Sequence, residues 1–216
     1  MRAVWIVILA ALSLGGCAAI PVTPDSNPSS SDALWASHQR AVAERVSWNL
    51  LGRISLRTSD MAASATLRWI RNDGQDDIYL FGPLGGGKVQ LSISADAVTL
   101  RDAKGQVVTG ANPSELLYRV TGWHIPFEAL DDWIRGVPSS EPIGSMVLGP
   151  EGQLKNLNQS GWDIAYLEFM SVNDLPLPQK IRIAASKETV ESLVLAGQMT
   201  GDRLALRFFI ESWDPQ

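Results

Sequence analysis

The residues from Gly82 to Lys88 come near to a motif with known chemistry. A glycine, four further residues and a Gly-Lys pair have the spacing of a phosphate-binding P-loop. That motif needs Ser or Thr after the lysine to hold magnesium, and then a helix. Val89 stands there instead and begins an alternating, strand-like pattern. The spacing therefore does not favour a nucleotide site.

Other residues that could carry catalysis are few. Two histidines and one cysteine do not suggest a metal site, and no Gly-x-Ser-x-Gly nucleophile turn occurs. Asp131 and Asp132 are adjacent on a predicted helix, where their side chains point in different directions and cannot act as a pair. His124 lies in the link between two predicted helices and is interpreted as structural. We predict no catalytic residue, no metal and no cofactor, and therefore a protein that is not an enzyme.

The single cysteine, Cys17, has the surroundings of a lipidation site. After Arg2 the chain is apolar up to Leu14-Gly15-Gly16-Cys17, which is typical of a secretory signal with a lipoprotein cleavage box. A membrane-spanning helix needs about 20 apolar residues, and this run is shorter. We predict a signal peptide over residues 1–16 and a lipid anchor on Cys17.

Composition limits the partners. The net charge is −5 and no basic run occurs, which does not favour nucleic acid or anionic lipid headgroups. Membrane contact is then expected from acyl chains and apolar side chains. Eight tryptophans fit either core packing or a lined apolar cavity. Residues 17–32 are expected to form the lipidated cysteine and a tether, and residues 33–216 a single domain.

Hydrophobic periodicity predicts the elements of this domain. A helix is expected from about Ala33 to Val46, and helices beginning near Pro113 and Pro126 interrupt strand patterns of period two. Gly52, inside the first strand pattern, predicts a bend or a close approach of two backbones. The run from Thr189 to Leu195 is interpreted as a strand. The predicted fold class is α+β, with a strongly curved antiparallel sheet, one helix before it and two inserted mid-chain.

The segment Gly82-Pro83-Leu84-Gly85 lies between two strand patterns. The apolar run Ile78–Phe81 precedes it, and residues 88–94 alternate between polar and apolar after it. This pattern predicts a hairpin whose tip presents Leu84 to solvent. Taken alone, it also fits an ordinary loop with an incidental leucine.

The chain resembles the LolB family of outer-membrane lipoprotein receptors over nearly all of its length after the signal peptide. The order and spacing of several short motifs carry the resemblance, and no single motif does. They are Cys17 in its cleavage box, Trp48 with Gly52-Arg53-Ile54, Gly82-Pro83-Leu84-Gly85, Ile125-Pro126, Trp133-Ile134-Arg135-Gly136, Gln159-Ser160-Gly161-Trp162 with Tyr166, Leu175-Pro176, and Trp213.

This resemblance implies an incompletely closed antiparallel β-barrel with a helical lid over an apolar cavity for the acyl chains of a cargo lipoprotein. It also implies that the periplasmic carrier LolA delivers the cargo, which is released into the inner leaflet of the outer membrane. Leu84 corresponds to the leucine that the family associates with inserting cargo into the bilayer. We expect a monomer, lipid-anchored on the periplasmic face of the outer membrane.

Without ATP, an acyl chain moves only down a gradient of affinity, so a receptor needs a cavity that holds lipid more weakly than the bilayer does. Bulky side chains that alternate inward suit such a cavity. The predicted lining residues are Leu67, Trp69, Ile93 and Trp133. Composition alone does not separate a cavity from a tight core. The alternative is a structural lipoprotein that scaffolds an envelope complex and binds no lipid beyond its own anchor.

Overall fold

The computed structural model describes residues 30–83 and 87–215, so the predictions on Cys17, Leu84 and Gly85 fall outside the described residues. Within these ranges the chain forms four helices and eleven strands. The helices are α1 (Ser30–Ala43), α2 (Pro113–Thr121), α3 (Phe127–Ile134) and α4 (Lys187–Leu195). The strands are β1 (Trp48–Thr58), β2 (Ala62–Asn72), β3 (Gln75–Phe81), β4 (Lys88–Ile93), β5 (Val98–Arg101), β6 (Val107–Gly110), β7 (Ile143–Leu148), β8 (Leu154–Gln159), β9 (Trp162–Val172), β10 (Leu175–Ala185) and β11 (Leu204–Pro215).

All of these strands belong to one antiparallel sheet. Its order is β6-β5-β4-β3-β2-β1-β11-β10-β9-β8-β7, so β1 and β11 pair at its centre. The end strands β6 and β7 do not pair with each other, and the sheet curves without closing. This arrangement confirms the predicted α+β class with an incompletely closed barrel.

One face of the sheet carries the core, because alternate side chains along each strand point to the same side. In β1 the inward residues are at most 2% exposed, and they are Trp48, Leu50, Ile54 and Leu56. Gly52 belongs to the same row, and a Cβ there would lie 2.5 Å from the carbonyl oxygen of Phe209 on β11. The register of β1 against β11 shifts at this glycine, which confirms the predicted close approach.

Helices α2 and α3 form the insert that the sequence predicts. The Asn112 side chain accepts a hydrogen bond from the Glu115 amide and caps α2, which ends at Gly122 with a left-handed φ of 72°. The Ser114 hydroxyl accepts from the Phe127 amide at 2.8 Å and so fixes the start of α3 against α2. The two helices therefore act as one short unit, which we call the lid.

The strand predicted from Thr189 to Leu195 is wrong, because this segment belongs to helix α4. The Ser186 side chain accepts a hydrogen bond from the Thr189 amide at 3.2 Å, which caps the helix. Val190 is buried, whereas Leu195 is 88% exposed. The apolar and β-branched residues of this segment resemble a strand pattern, but the segment is a helix that buries only one of its faces.

Candidate functional site

An apolar cavity lies between the sheet and the lid. Its volume is about 20 Å³, which is room for about one water molecule. The sheet contributes Ile54, Leu67, Trp69, Ile78, Leu80, Val89, Leu91 and Phe208, and the lid with its internal link contributes Leu117, Ile125, Phe127 and Leu130. Every lining side chain is apolar, so the cavity offers no group that would bind a polar ligand.

The structure places two of the four predicted residues, Leu67 and Trp69, in this lining. Ile93, the last residue of β4, and Trp133 lie outside it. Trp133 is fully buried, and its indole nitrogen donates to Gln159 Oε1 at 2.7 Å, so its polar edge faces β8. Contact of these side chains with acyl chains stays a prediction.

The cavity is too small for an acyl chain while the lid rests on the sheet. Leu67 and Leu130 face it from the two sides, and each is only 3% exposed. The ring of Trp69 packs against that of Phe127 with centroids 5.0 Å apart. An acyl chain therefore enters only when these contacts separate and the lid moves away from the sheet.

Charged side chains join the lid to the β2–β3 hairpin at one end of the cavity. Arg71 donates from Nε and Nη2 to the carboxylate of Asp76, at 2.8 and 2.5 Å, and from Nη1 to Asp131 of α3. Arg135 donates to Asp131 at 3.1 Å and to Asp132 at 2.9 Å. We call these five residues the lid cluster. Because the ion pair between Arg71 and Asp131 crosses between the two elements, the cluster opposes opening of the lid.

The lid cluster is continuous with the cavity through Trp69. Its indole nitrogen donates to Asp76 Oδ1 at 2.7 Å, while its ring lines the cavity. Burial disfavours the charge on Arg71, but the carboxylates of Asp76 and Asp131 outweigh it and raise the pKa of the guanidinium. Burial, followed by the charge on Asp131, raises the pKa of Asp132. The charge on Asp132 is therefore less favourable than the charge on an isolated, exposed carboxylate.

We expect Asp131→Asn to lower the free energy of unfolding by about 1–3 kcal/mol, because it removes the acceptor that Arg71 and Arg135 share. Asp132→Asn is the matched control, since it removes an ion pair within the lid and leaves the contact between Arg71 and Asp131 in place. Urea unfolding at neutral pH measures both variants. Equal losses would contradict the role given to Asp131 in holding the lid.

The hairpin that precedes this insert is confirmed at its base. Phe81 of β3 pairs with Lys88 of β4, and the Gly82 amide donates to the Gly87 carbonyl at 3.0 Å. Pro83 is exposed. Because Lys88 begins a strand and not a helix, the structure agrees with the rejection of a P-loop.

Two further findings apply to the described ranges, 30–83 and 87–215. No set of three or more His, Cys, Asp or Glu side chains there is placed to hold a metal ion. None of the helices there has both the length and the apolar character needed to cross a membrane.

The fold and the site define an α+β protein in which a curved antiparallel sheet and a two-helix lid enclose an apolar cavity. The sequence model of the family described as "Outer membrane lipoprotein LolB" matches residues 46–213. The chain belongs to this LolB family.

The relatives of this chain include proteins that carry the name "Outer-membrane lipoprotein LolB". The protein from Stutzerimonas stutzeri is 30% identical over 206 residues, which cover 95% of this chain and 92% of the relative. The protein from Alkalilimnicola ehrlichii is 32% identical, with 86% and 92% covered. The protein from Nitrosococcus oceani is 33% identical, with 82% and 87% covered. Each match spans most of both chains, so the likeness concerns the whole domain.

Proposed function

We propose that this protein is an outer-membrane receptor that accepts lipoproteins from a LolA-like periplasmic carrier and inserts them into the inner leaflet of the outer membrane. The apolar cavity under the lid, in a chain of the LolB family, is the observation that carries the proposal. The receptor works by binding and release and catalyses no covalent step.

The energetics of the closed lid suit a transient holder of acyl chains. Opening the lid breaks the contacts of Arg71 with Asp131 and separates Leu130 from the sheet. An acyl chain then offsets this cost, since each buried methylene contributes about 0.8 kcal/mol. The protein consequently holds lipid more weakly than a preformed cavity of the same lining would. A bilayer, which needs no opening step, takes the chain from it.

The organisation of the chain supports delivery at a membrane. Residues 1–16 act as a signal peptide, Cys17 carries the lipid anchor, and the tether predicted after it leads into a single domain whose first helix, α1, begins at Ser30 and not after residue 32. The segment Gly82-Pro83-Leu84-Gly85 follows β3, whose end pairs with the start of β4, and its role is to place Leu84 in the leaflet during release. The protein works as a monomer on the periplasmic face.

Acyl-chain binding is tested with the soluble Cys17→Ala protein and a fluorescent fatty acid. We expect saturable binding that raises the thermal midpoint, because ligand binds the folded state, and displacement of the probe by lipoprotein. The closed cavity would also suit a structural lipoprotein with a filled core. Such a scaffold would bind no probe, and its melting temperature would not respond.

A further inference from the structure

Two arginines face each other across neighbouring strands on the outer face of the sheet. Arg207 of β11 pairs with Arg182 of β10 on one side and with Ser55 of β1 on the other. Ser55 in turn pairs with Ser64 of β2. We call these four residues the outer row. With strands about 4.8 Å apart, the row is about 15 Å wide.

The outer row contains hydrogen-bond donors without acceptors. Like charges directly opposite each other in a sheet are destabilising, and Arg182 and Arg207, both exposed, form such a pair. Among the described residues, no carboxylate forms an ion pair with either guanidinium, and neither Ser55 nor Ser64 has a side-chain hydrogen bond. Within the part of the chain that the structure describes, the protein itself therefore supplies no carboxylate partner to offset the repulsion.

Two neighbouring cations on the same face are compensated. Arg53 pairs with Glu211 at 3.0 Å, and Lys180 pairs with Glu168 at 2.7 Å. Both cations also flank the ring of Phe209, each 5.6 Å from its centroid. Arg57 of β1 and Arg68 of β2, also exposed on this face, form no ion pair among the described residues. The outer row is distinguished from them because its two arginines lie directly opposite each other.

Two adjoining grooves meet at the outer row, of about 530 and 870 Å³, and both include Ser55, Ser64 and Arg207. The larger groove also includes Leu167, which is 59% exposed. Donor groups beside an exposed apolar side chain suit an amphiphilic anion, and a phospholipid headgroup with its first acyl carbons has this character. Guanidinium groups bind phosphate oxygens through paired hydrogen bonds.

The register of β2 against β3 shows where the outer row lies along the strands relative to the loop that follows β3. Phe81 pairs with Thr66, so Pro83, two residues further along, lies level with Ser64. Pro83 and Ser64 also line the same groove. The row therefore lies beside the base of the Gly82–Gly85 loop.

Two acidic residues, Asp60 and Asp202, lie in turns beyond the outer row. Protein hydroxyl groups already donate hydrogen bonds to both carboxylates.

We propose that the outer row binds phosphate groups of phospholipids in the target leaflet and so orients the domain with its loop toward the membrane. This inference rests on the proposed function, because the loop must approach the bilayer for the row to reach headgroup level. The net charge of −5 gives the protein no general attraction to an anionic membrane. Orientation consequently depends on this local set of donors.

Vesicle binding by the soluble Cys17→Ala protein tests the proposal. Binding to phosphatidylglycerol-containing vesicles is expected to be salt-sensitive and about 30-fold weaker in Arg182→Gln/Arg207→Gln, since each arginine near an anionic surface contributes roughly a factor of five. The matched control is Arg40→Gln/Arg101→Gln, which loses the same charge from exposed positions on helix α1 and strand β5, away from the row. The control should bind nearly as the unsubstituted protein does.

Three outcomes would overturn the proposal. They are no vesicle binding by the unsubstituted protein, equal weakening in the control, and unchanged vesicle binding in Arg182→Gln/Arg207→Gln. If Arg182→Gln/Arg207→Gln bound vesicles normally but no longer received lipoprotein from a loaded carrier, the row would be a protein-docking surface. The thermal midpoint of the variant should not fall, because a repulsion is removed. The fluorescent fatty acid is measured in the same samples. If a protein that fails the vesicle test still binds the fatty acid, this proposal fails and the receptor function stands.

Discussion

Replacing Leu84 by glutamate is expected to abolish most delivery of lipoproteins into liposomes while receipt from the carrier stays near that of the unsubstituted protein. Burying one leucine contributes only about 1.5–3 kcal/mol, too little to add usefully to a lipid anchor. Leu84 is expected to contribute to the release step instead, because an apolar side chain that enters the leaflet lowers the barrier for acyl chains that leave the cavity. A carboxylate resists entry into the acyl region.

Two activities of the same purified variant are measured and compared: receipt of lipoprotein from the carrier and delivery of lipoprotein into liposomes. Val107→Glu serves as the matched control, since it introduces the same charge at an apolar residue that is 49% exposed on the edge strand β6. That control should deliver normally. Equal loss of receipt and delivery in Leu84→Glu would make the loop part of the carrier-docking face, and no loss of either would leave Leu84 an incidental surface residue.

Cys17→Ala, made with a cleavable secretory signal, is expected to convert the protein from the membrane fraction to a soluble periplasmic form. Several acyl chains on one cysteine give nearly irreversible anchoring. The outer row offers only salt-sensitive binding. The soluble form should still receive lipoprotein, because the cavity and the lid do not depend on the anchor.

Fractionation with a high-salt wash measures this effect. The salt removes binding through the outer row and leaves lipid anchoring intact. A Cys17→Ala protein that stayed in the membrane fraction after the wash would show that another part of the chain holds the membrane.

Much of the sheet could be predicted because the side-chain period is local information. Alternation placed Trp48, Leu50 and Ile54 on one buried face, and Gly52 marked where two backbones meet. Helix α4 was missed because its apolar stripe of Val190, Leu193 and Val194 is short and is followed directly by the exposed Leu195, so the run also fits a strand, and the Ser186 cap was not recognised. Where local patterns are ambiguous, capping and burial determine the outcome.

The site was less predictable, because its interactions join residues that are distant in sequence. Arg71 and Asp131 are 60 positions apart, and no local pattern indicates their contact. Arg182 and Arg207 meet only through the register of β10 and β11, so a chain without a basic run still forms a basic row. The helical pattern predicted that Trp133 lines the cavity, but its indole nitrogen donates a hydrogen bond to Gln159, and its polar edge therefore points away from the cavity.

Photo-crosslinking with an acyl chain that carries a diazirine near its end tests most directly whether acyl chains bind beneath the lid. After saturation of the soluble protein and irradiation, mass spectrometry locates the adducts. Binding in the cavity requires adducts on residues that line it from both sides, such as Leu67, Leu80 and Leu130, and their loss on competition with lipoprotein. Adducts confined to the outer face, or none at saturation, would contradict binding beneath the lid.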